Sequence, residues 1–189
     1  LESIMPDGKA LQMGTSHFLG QNFSKPFDVK YLDENNTETF AWQTSWGVSW
    51  RLIGGMIMTH GDDKGLVLPP RIAPIQVVII PIYYSDDIEN DNVIRKATQI
   101  KERLSKINLR VHLDDREQLT PGFKFNDWEM KGIPIRIEIG PKDIDKNQVV
   151  LARRHDQTKT SIEMDSLSEE IIQNLLNIQK EMFDNAKKI

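Results

Sequence analysis

Hydrophobic and polar positions follow two different rhythms along this chain, and the change falls near Leu68-Pro69-Pro70. Downstream of the prolines, Val77-Val78-Ile79-Ile80 is a short unbroken apolar run, the pattern of a strand covered on both faces. Val93, Ile94, Ala97, Ile100, Leu104 and Ile107 then recur at helical spacing, with Asn92 placed to cap that helix. Arg110 to Leu113 predicts a second strand. Thr120-Pro121 supplies an N-cap followed by proline at the first helical position, and Gly132 marks the end of that helix. Ile133, Ile135, Ile137 and Ile139 alternate with Pro134, Arg136 and Glu138, which predicts a half-exposed strand, and Gln148 to Ala152 predicts a fourth. Ser166 to Glu169 has the spacing of a capping box and opens a long amphipathic helix running to the end of the chain. The order β-α-β-α-β-β-α predicts a compact α/β domain whose mixed sheet is flanked by helices.

Upstream the text is rich in Gly, Thr, Ser and Trp. Leu11 to Gly14, Phe27 to Leu32 and Phe40 to Ser45 predict strands, with Asn35-Asn36 turning the last two into a hairpin. Leu52 to His60 is apolar almost throughout and predicts a buried helix. This half is expected to be one flank of an antiparallel sheet. The paired prolines remove two backbone donors and restrict the residue before them, which suits a linker. Two domains are therefore expected, over residues 1–70 and 71–189.

Composition narrows the chemistry. A chain of 189 residues can hold one ordinary domain or two small ones. The absence of cysteine excludes disulfides and thiolate metal sites. No apolar run reaches the length of a membrane span and no signal peptide opens the chain, so a cytoplasmic location is expected. A first residue of Leu1 suggests a piece of something longer. The formal net charge of -4 gives no global sign of nucleic-acid binding. Locally, however, Lys131, Arg136, Lys142, Lys146, Arg153, Arg154 and Lys159 outnumber the acids Glu138, Asp143, Asp145 and Asp156. That stretch fits either a nucleic-acid face or a solvated charged surface. The acidic stretch from Ser85 to Asn92 lacks the glycine and terminal glutamate of a calcium loop and reads as solvated loop. No Ser/His/Asp triad, Walker loop, dinucleotide fingerprint or zinc spacing occurs, and no metal site is expected.

Two upstream stretches carry more. One is Gln12-Met13-Gly14-Thr15-Ser16-His17 followed by Gly20-Gln21-Asn22-Phe23-Ser24, and the other is Gln43-Thr44-Ser45-Trp46-Gly47-Val48-Ser49-Trp50-Arg51. With His60-Gly61-Asp62, Gly65 to Arg71, Pro121 to Glu129 and Ile135 to Asp143, they resemble class II aminoacyl-tRNA synthetases. The match is to the prolyl-tRNA synthetases of the archaeal and eukaryotic type, and it covers essentially the whole chain. The resemblance implies that residues 1–70 are the C-terminal portion of a class II catalytic domain, its antiparallel sheet incomplete, and that 71–189 are an anticodon-binding domain. It implies an enzyme that activates proline with ATP and Mg2+, transfers it to tRNA(Pro), and works as a homodimer.

Glycine followed by arginine, ending in Arg51, looks like motif 3 of that class, in which the arginine clamps ATP by stacking and pairing. Gln12 and Thr15 are implied to bond ATP as well. Strict strand alternation would put those two on opposite faces, so a twist or bulge is expected between them. His17, Ser45, Trp46 and Gly47 correspond to walls of the proline pocket. Motifs 1 and 2 and the grip on the proline amine have no counterpart here, so this chain alone is not expected to activate proline. Trp50 stands where the family has a small polar residue. The family's further C-terminal domain, often a zinc carrier, has no counterpart either.

The second half offers a recognition surface on physical grounds. Phe125 and Glu129 are one helical turn apart and share a face, while Arg136 lies on the next strand opposite the isoleucine stripe. Lys142 and Asp143 follow in the next turn. An aromatic ring to stack on a base, a carboxylate for the guanine N1 and N2 donors, and a cation for O6 and N7 are what guanine reading requires. The resemblance implies that Phe125, Glu129, Arg136, Lys142 and Asp143 read the two guanines shared by proline anticodons. The plainer alternative is a surface ion pair between Glu129 and Arg136, worth under about 1 kcal/mol. Lys159 and Arg153 are candidates for phosphate contacts. A non-catalytic tRNA- or RNA-binding module, or another class II synthetase (for threonine, glycine or histidine), are the competing functions.

Overall fold

The computed structural model describes residues 1–82 and 87–188. The chain divides into two compact units, Leu1–Thr59 and His60–Lys188.

In the first unit the strands pair two by two. β1 (Glu2–Ile4) runs antiparallel to β2 (Ala10–Gln12), and β3 (Gly14–Gly20) to β6 (Gln43–Val48). β4 (Lys30–Leu32) pairs with β5 (Glu38–Phe40), forming the expected hairpin. Its turn is held by Asp33, whose Oδ1 accepts the backbone N–H of both Asn35 and Thr37 at 2.9 Å. The expected strand boundaries shift: Met13 separates β2 from β3, turns occupy 21–28, and Ala41-Trp42 separates β5 from β6. α1 (Arg51–His60) forms as expected, but it is not a buried helix, since Gly55 is its one buried residue and Ile53, Ile57 and Met58 are exposed. Apolar sequence sets what a helix can bury; burial itself needs a layer on top, and within this unit Met13 and Leu11 lie over Gly55 while Ile53, Ile57 and Met58 stay exposed.

The second unit is built on one five-stranded sheet in the order β11-β10-β9-β7-β8. Its elements are β7 (Val77–Pro81), α2 (Asp87–Lys106), β8 (Val111–Leu113), α3 (Pro121–Met130), β9 (Ile135–Ile139), α4 (Pro141–Asp145), β10 (Gln148–Arg153), β11 (Lys159–Glu163) and α5 (Leu167–Ala186). β7 is parallel to β8 and β9, whereas β10 is antiparallel to both its neighbours, so the sheet is mixed. Alternation along β7 explains the two layers. Val77 and Ile79 face a core shared with α2 and α5, while Val78 and Ile80 pack on Trp128 and Ile133. Thr120 caps α3 by accepting the N–H of Phe123, and Gly132 follows at φ 71°.

Several expectations change here. β9 is not half-exposed: it lies between β7 and β10, and even Glu138 on its polar face is buried. β11 and the short α4 add to the expected elements; β11 is an edge strand in which Ile162 alone is buried, so it carries little apolar signal. α2 begins at Asp87, which puts Asn92 inside the helix, where its Oδ1 accepts from Arg95 at 2.9 Å, rather than at its cap. Ser85 and Asp86 of the acidic stretch lie outside the described residues. The capping box at Ser166 does not form: the residue is αR and its hydroxyl donates to the Glu163 carbonyl at 3.3 Å.

The segment before the prolines belongs to the second unit. Leu66 N–H donates to Met130 O at 2.9 Å and Leu68 N–H to Gly132 O at 3.2 Å. At this crossing two glycines each lie against the backbone of the other segment: a Cβ on Gly65 would stand 2.6 Å from Met130 O, and one on Gly132 would stand 2.5 Å from Leu66 O. Among the described residues no helix is long and apolar enough to cross a membrane.

Candidate nucleic-acid interface

A polar cleft opens on the α3 side of the sheet. Val78, Trp128, Ile133 and Ala152 form its apolar floor, and Lys64, Glu129, Arg136, Arg153, Arg154, Gln157 and Lys159 its polar wall. Five of these wall residues are cations and one is an acid, and carboxylates outside the lining supply further counter-charge.

The helix that presents Glu129 is anchored by a buried carboxylate. Asp114, at the end of β8, accepts from Trp128 Nε1 at 2.7 Å and from Arg116 Nε at 2.8 Å. Arg116 also reaches Asp127 on α3 at 2.8 Å, and the buried Lys124 donates to the Asp114 carbonyl at 3.2 Å. Burial pushes the Asp114 carboxyl up, but hydrogen bonds from Arg116 and Trp128 outweigh it and hold the group well below the usual carboxylate range. With Lys124 and Trp128 turned inward, Phe125 and Glu129 are left on the cleft side of the helix.

Phe125 and Arg136 meet: the guanidinium carbon lies 4.3 Å from the ring centroid, and Lys159 Nζ lies 5.3 Å from it. Arg136 and Lys159 both bind Glu138, each at 2.8 Å. Glu129 pairs not with Arg136 but with Lys64, at 3.3 Å. The expected alternative of a Glu129–Arg136 ion pair is thereby corrected, because β9 supplies Arg136 with a nearer carboxylate two residues along.

Arg154 is tied to Asp62 through both guanidinium arms, at 2.6 and 2.7 Å, and to the Glu129 carbonyl at 2.8 Å. The Arg154 hydrogen bond holds the Asp62 carboxyl down at about 2. Arg153 bonds Glu181, and meets His155 Nε2 at 3.0 Å and Asp156 at 3.4 Å. His155, Asp156 and Glu181 are spaced to hold a metal ion, but the guanidinium already supplies their counter-charge. Lys142 and Asp143 are not part of the cleft lining. They sit on α4 beyond the far end of β9, which runs about 10 Å on from Arg136. The Asp143 carboxylate is engaged by the Gly140 N–H at 2.9 Å. Sequence reasoning misses Lys64, Arg154 and Gln157 as cleft residues. The Lys64–Gln157 and Arg154–Asp62 bonds span more than 90 residues, a separation that local pattern does not reach.

A second hollow lies in the first unit, lined by Gln12, Met13, Gly14, Thr15, Gly47, Val48, Ser49 and Arg51. Arg51 opens α1 and donates to both the Gln12 carbonyl, at 3.2 Å, and Gln12 Oε1, at 3.0 Å. Gln12 ends β2 and Thr15 belongs to β3, so the break at Met13 lets both border one hollow. In the β3–β6 ladder Thr15 faces Gly47 and His17 faces Ser45, which puts these four positions on one face. Trp46 pairs with Ser16 on the opposite face and is 79% exposed. Arg51 suits an anionic nucleotide. The lining holds no carboxylate, so a divalent cation would need ligands from elsewhere.

The sequence matches a family described as an anticodon binding domain over residues 76–174, which span the five-stranded sheet, the cleft lining apart from Lys64, and the start of α5. The chain therefore belongs to the anticodon-binding-domain family. Along its full length it is similar to a proline--tRNA ligase of Cenarchaeum symbiosum (strain A), 59% identical over 188 residues, covering 100% of this chain and 39% of that protein. The proline--tRNA ligase of Roseiflexus sp. (strain RS-1) is 52% identical over 189 residues, covering 98% and 39%. That of Ruminiclostridium cellulolyticum is 50% identical over 189 residues, covering 100% and 38%. The chain spans about two fifths of the length of these curated relatives.

Proposed function

We propose that this chain is part of a proline–tRNA ligase, and that its second unit reads the anticodon loop of tRNA(Pro). The observation that carries the reading is the cation-lined cleft that holds Glu129 and Arg136, with the Phe125 ring 4.3 Å from the Arg136 guanidinium. Phe125 offers a face for base stacking, Glu129 accepts from guanine N1 and N2, and Arg136 donates to O6 or N7. Lys142 and Asp143 meet the same loop further along, beyond the end of β9. Membership of the anticodon-binding family and the names of the relatives support this assignment.

The whole enzyme, a cytoplasmic homodimer in this reading, joins proline to tRNA at the expense of ATP with Mg2+. The proline carboxylate attacks the α-phosphate, pyrophosphate leaves, and the terminal ribose hydroxyl of the tRNA takes the prolyl group. Positioning and charge neutralisation carry most of the rate in such transfers. In the first unit Gln12, Thr15 and Arg51 contact ATP, the last through its fixed positive charge. His17, Ser45 and Gly47 line the amino-acid pocket from one sheet face. Trp46, on the opposite face, bears on that pocket only indirectly, through the strand that carries Ser45 and Gly47.

The test is a titration of this chain with the anticodon stem-loop of a proline tRNA, beside a loop whose two guanines are replaced. Glu129→Ala and Arg136→Ala are each expected to cost about 1–3 kcal/mol with the guanine loop and to erase its advantage. Equal binding of both loops by the unaltered chain sinks the reading.

A further inference from the structure

The turn from Asp62 to Leu66 enters the cleft beside the end of α3, and the base-reading scheme gives it no part. Its placement is fixed several times over. Gly65 (φ 130°) lies so close to the Met130 backbone that any side chain would collide with it. The Asp62 carboxylate binds Arg154 and also accepts the backbone N–H of Lys64 at 2.9 Å. Lys64 is thereby aimed into the cleft, with its ammonium 3.3 Å from Glu129 Oε1 and 2.5 Å from Gln157 Oε1.

The five cations of the cleft differ in how free they are. The side chains of Arg136, Arg153 and Arg154 are 15%, 16% and 3% exposed and are bonded to carboxylates behind the cleft wall. Lys159 keeps half its side chain exposed but sits 2.8 Å from Glu138. Lys64 is 53% exposed, and its ion pair of 3.3 Å is longer than the roughly 2.8 Å of a strong charge-assisted bond. Turning outward costs it this one long ion pair and a hydrogen bond of 2.5 Å to the neutral Gln157 amide, whereas each of the other four gives up a closer carboxylate. A base that donates two N–H groups to Glu129 occupies the carboxylate that Lys64 meets in the free protein. The released ammonium, on a flexible stem, then stands beside a nucleotide whose backbone carries a phosphate.

We propose that Lys64 is a binding residue of this cleft: it holds Glu129 in the free protein and takes a backbone phosphate of the bound loop when a guanine donates to Glu129. The inference rests on the base-reading scheme proposed above.

The experiment measures affinity for the anticodon stem-loop against salt, from about 50 to 300 mM, for this chain and its Lys64→Met and Lys64→Arg variants. Lys64→Met keeps the stem and removes the charge. Losing one phosphate contact to a single strand makes the log–log salt slope shallower by about 0.7, which is about fivefold in affinity at 0.1 M salt. A guanine-free loop leaves Lys64 on Glu129, so its affinity and slope stay those of the unaltered chain. The ratio of guanine to guanine-free loop falls by the same roughly fivefold, and Lys64→Arg restores both slope and ratio. Thermal unfolding checks the fold of each variant, and Lys64→Gln replaces the methionine if that variant is unfolded. An unchanged slope overturns the proposal, and so does tighter binding by Lys64→Met, which would make Lys64 only a competitor for Glu129. Loss of guanine preference in Glu129→Ala with an unchanged Lys64→Met slope removes the Lys64 inference alone. Retained preference in Glu129→Ala removes the base-reading scheme, and the handover with it.

Discussion

The two units have comparable strand content and very different interiors. Unit two gathers five strands into one sheet and buries Val77, Ile79, Ile135, Ile137 and Ile139 in a core that also takes in Ile171 and Ile178 of α5. Unit one splits its strands into three separate pairs and leaves Phe18, Phe27, Trp42, Trp46 and Trp50 exposed. Phe18 and Trp42 stack on each other at 5.8 Å, but both remain largely in solvent. Aromatic side chains alone do not make a core. A two-stranded ribbon is marginal by itself, and a hydrophobic face stabilises only when a second layer covers it.

The comparison can be broken by substitution. Ile137→Ala, in the middle of β9, is expected to cost about 4 kcal/mol in urea unfolding, since it opens a cavity where no neighbour can collapse. Asp114→Ala comes next at about 2–3 kcal/mol, because it strands the Trp128 N–H and removes the carboxylate that Arg116 bridges to α3. A smaller effect is expected from acid. Asp62 and Asp114 have carboxyls held below their ordinary range in the folded state, so their contribution is present above about pH 4 and is lost on acidification, that of Asp62 as pH falls toward about 2. Thermal unfolding of the second unit should lose ground across that window, and Asp114→Asn should flatten the loss; equal pH dependence in both would remove this account. Least affected is Trp46→Ala, expected within about 0.5 kcal/mol despite deleting the largest side chain of the three. A cost above about 2 kcal/mol there would mean that the exposed ribbons are covered after all.

Much of the second unit is legible in its sequence because its signals are local and agree with one another. The run Val77 to Ile80, the Thr120-Pro121 start and the helical spacing of α2 each point to one element, and each forms. β11 escapes notice because an edge strand such as Lys159–Glu163 buries one residue and needs no apolar alternation. The polar side of β9 misleads for a different reason. Arg136 and Glu138 satisfy each other beneath Phe125 and Lys159, so charged residues there are compatible with cover. In the candidate site, helical spacing and strand alternation single out Phe125, Glu129 and Arg136; Glu129 and Arg136 line one cleft, and Phe125 packs on Arg136. Nearness in sequence groups Lys142 and Asp143 with them, yet an extended strand carries the chain away at over about 3 Å per residue. Lys64 and Arg154 are joined to the cleft by contacts that only the folded chain makes.

The glycines at 65 and 132 bear on how this region could be exchanged between related proteins. A recombination point placed at Pro69-Pro70 would pair one parent's Asp62 turn with the other's Arg154, Met130 and Gly132. Any change of backbone at that crossing would leave a nearly buried guanidinium facing the wrong partner. A junction at Thr59 keeps turn, helix end and cleft from one lineage, so the natural seam for domain swapping precedes the prolines rather than coinciding with them.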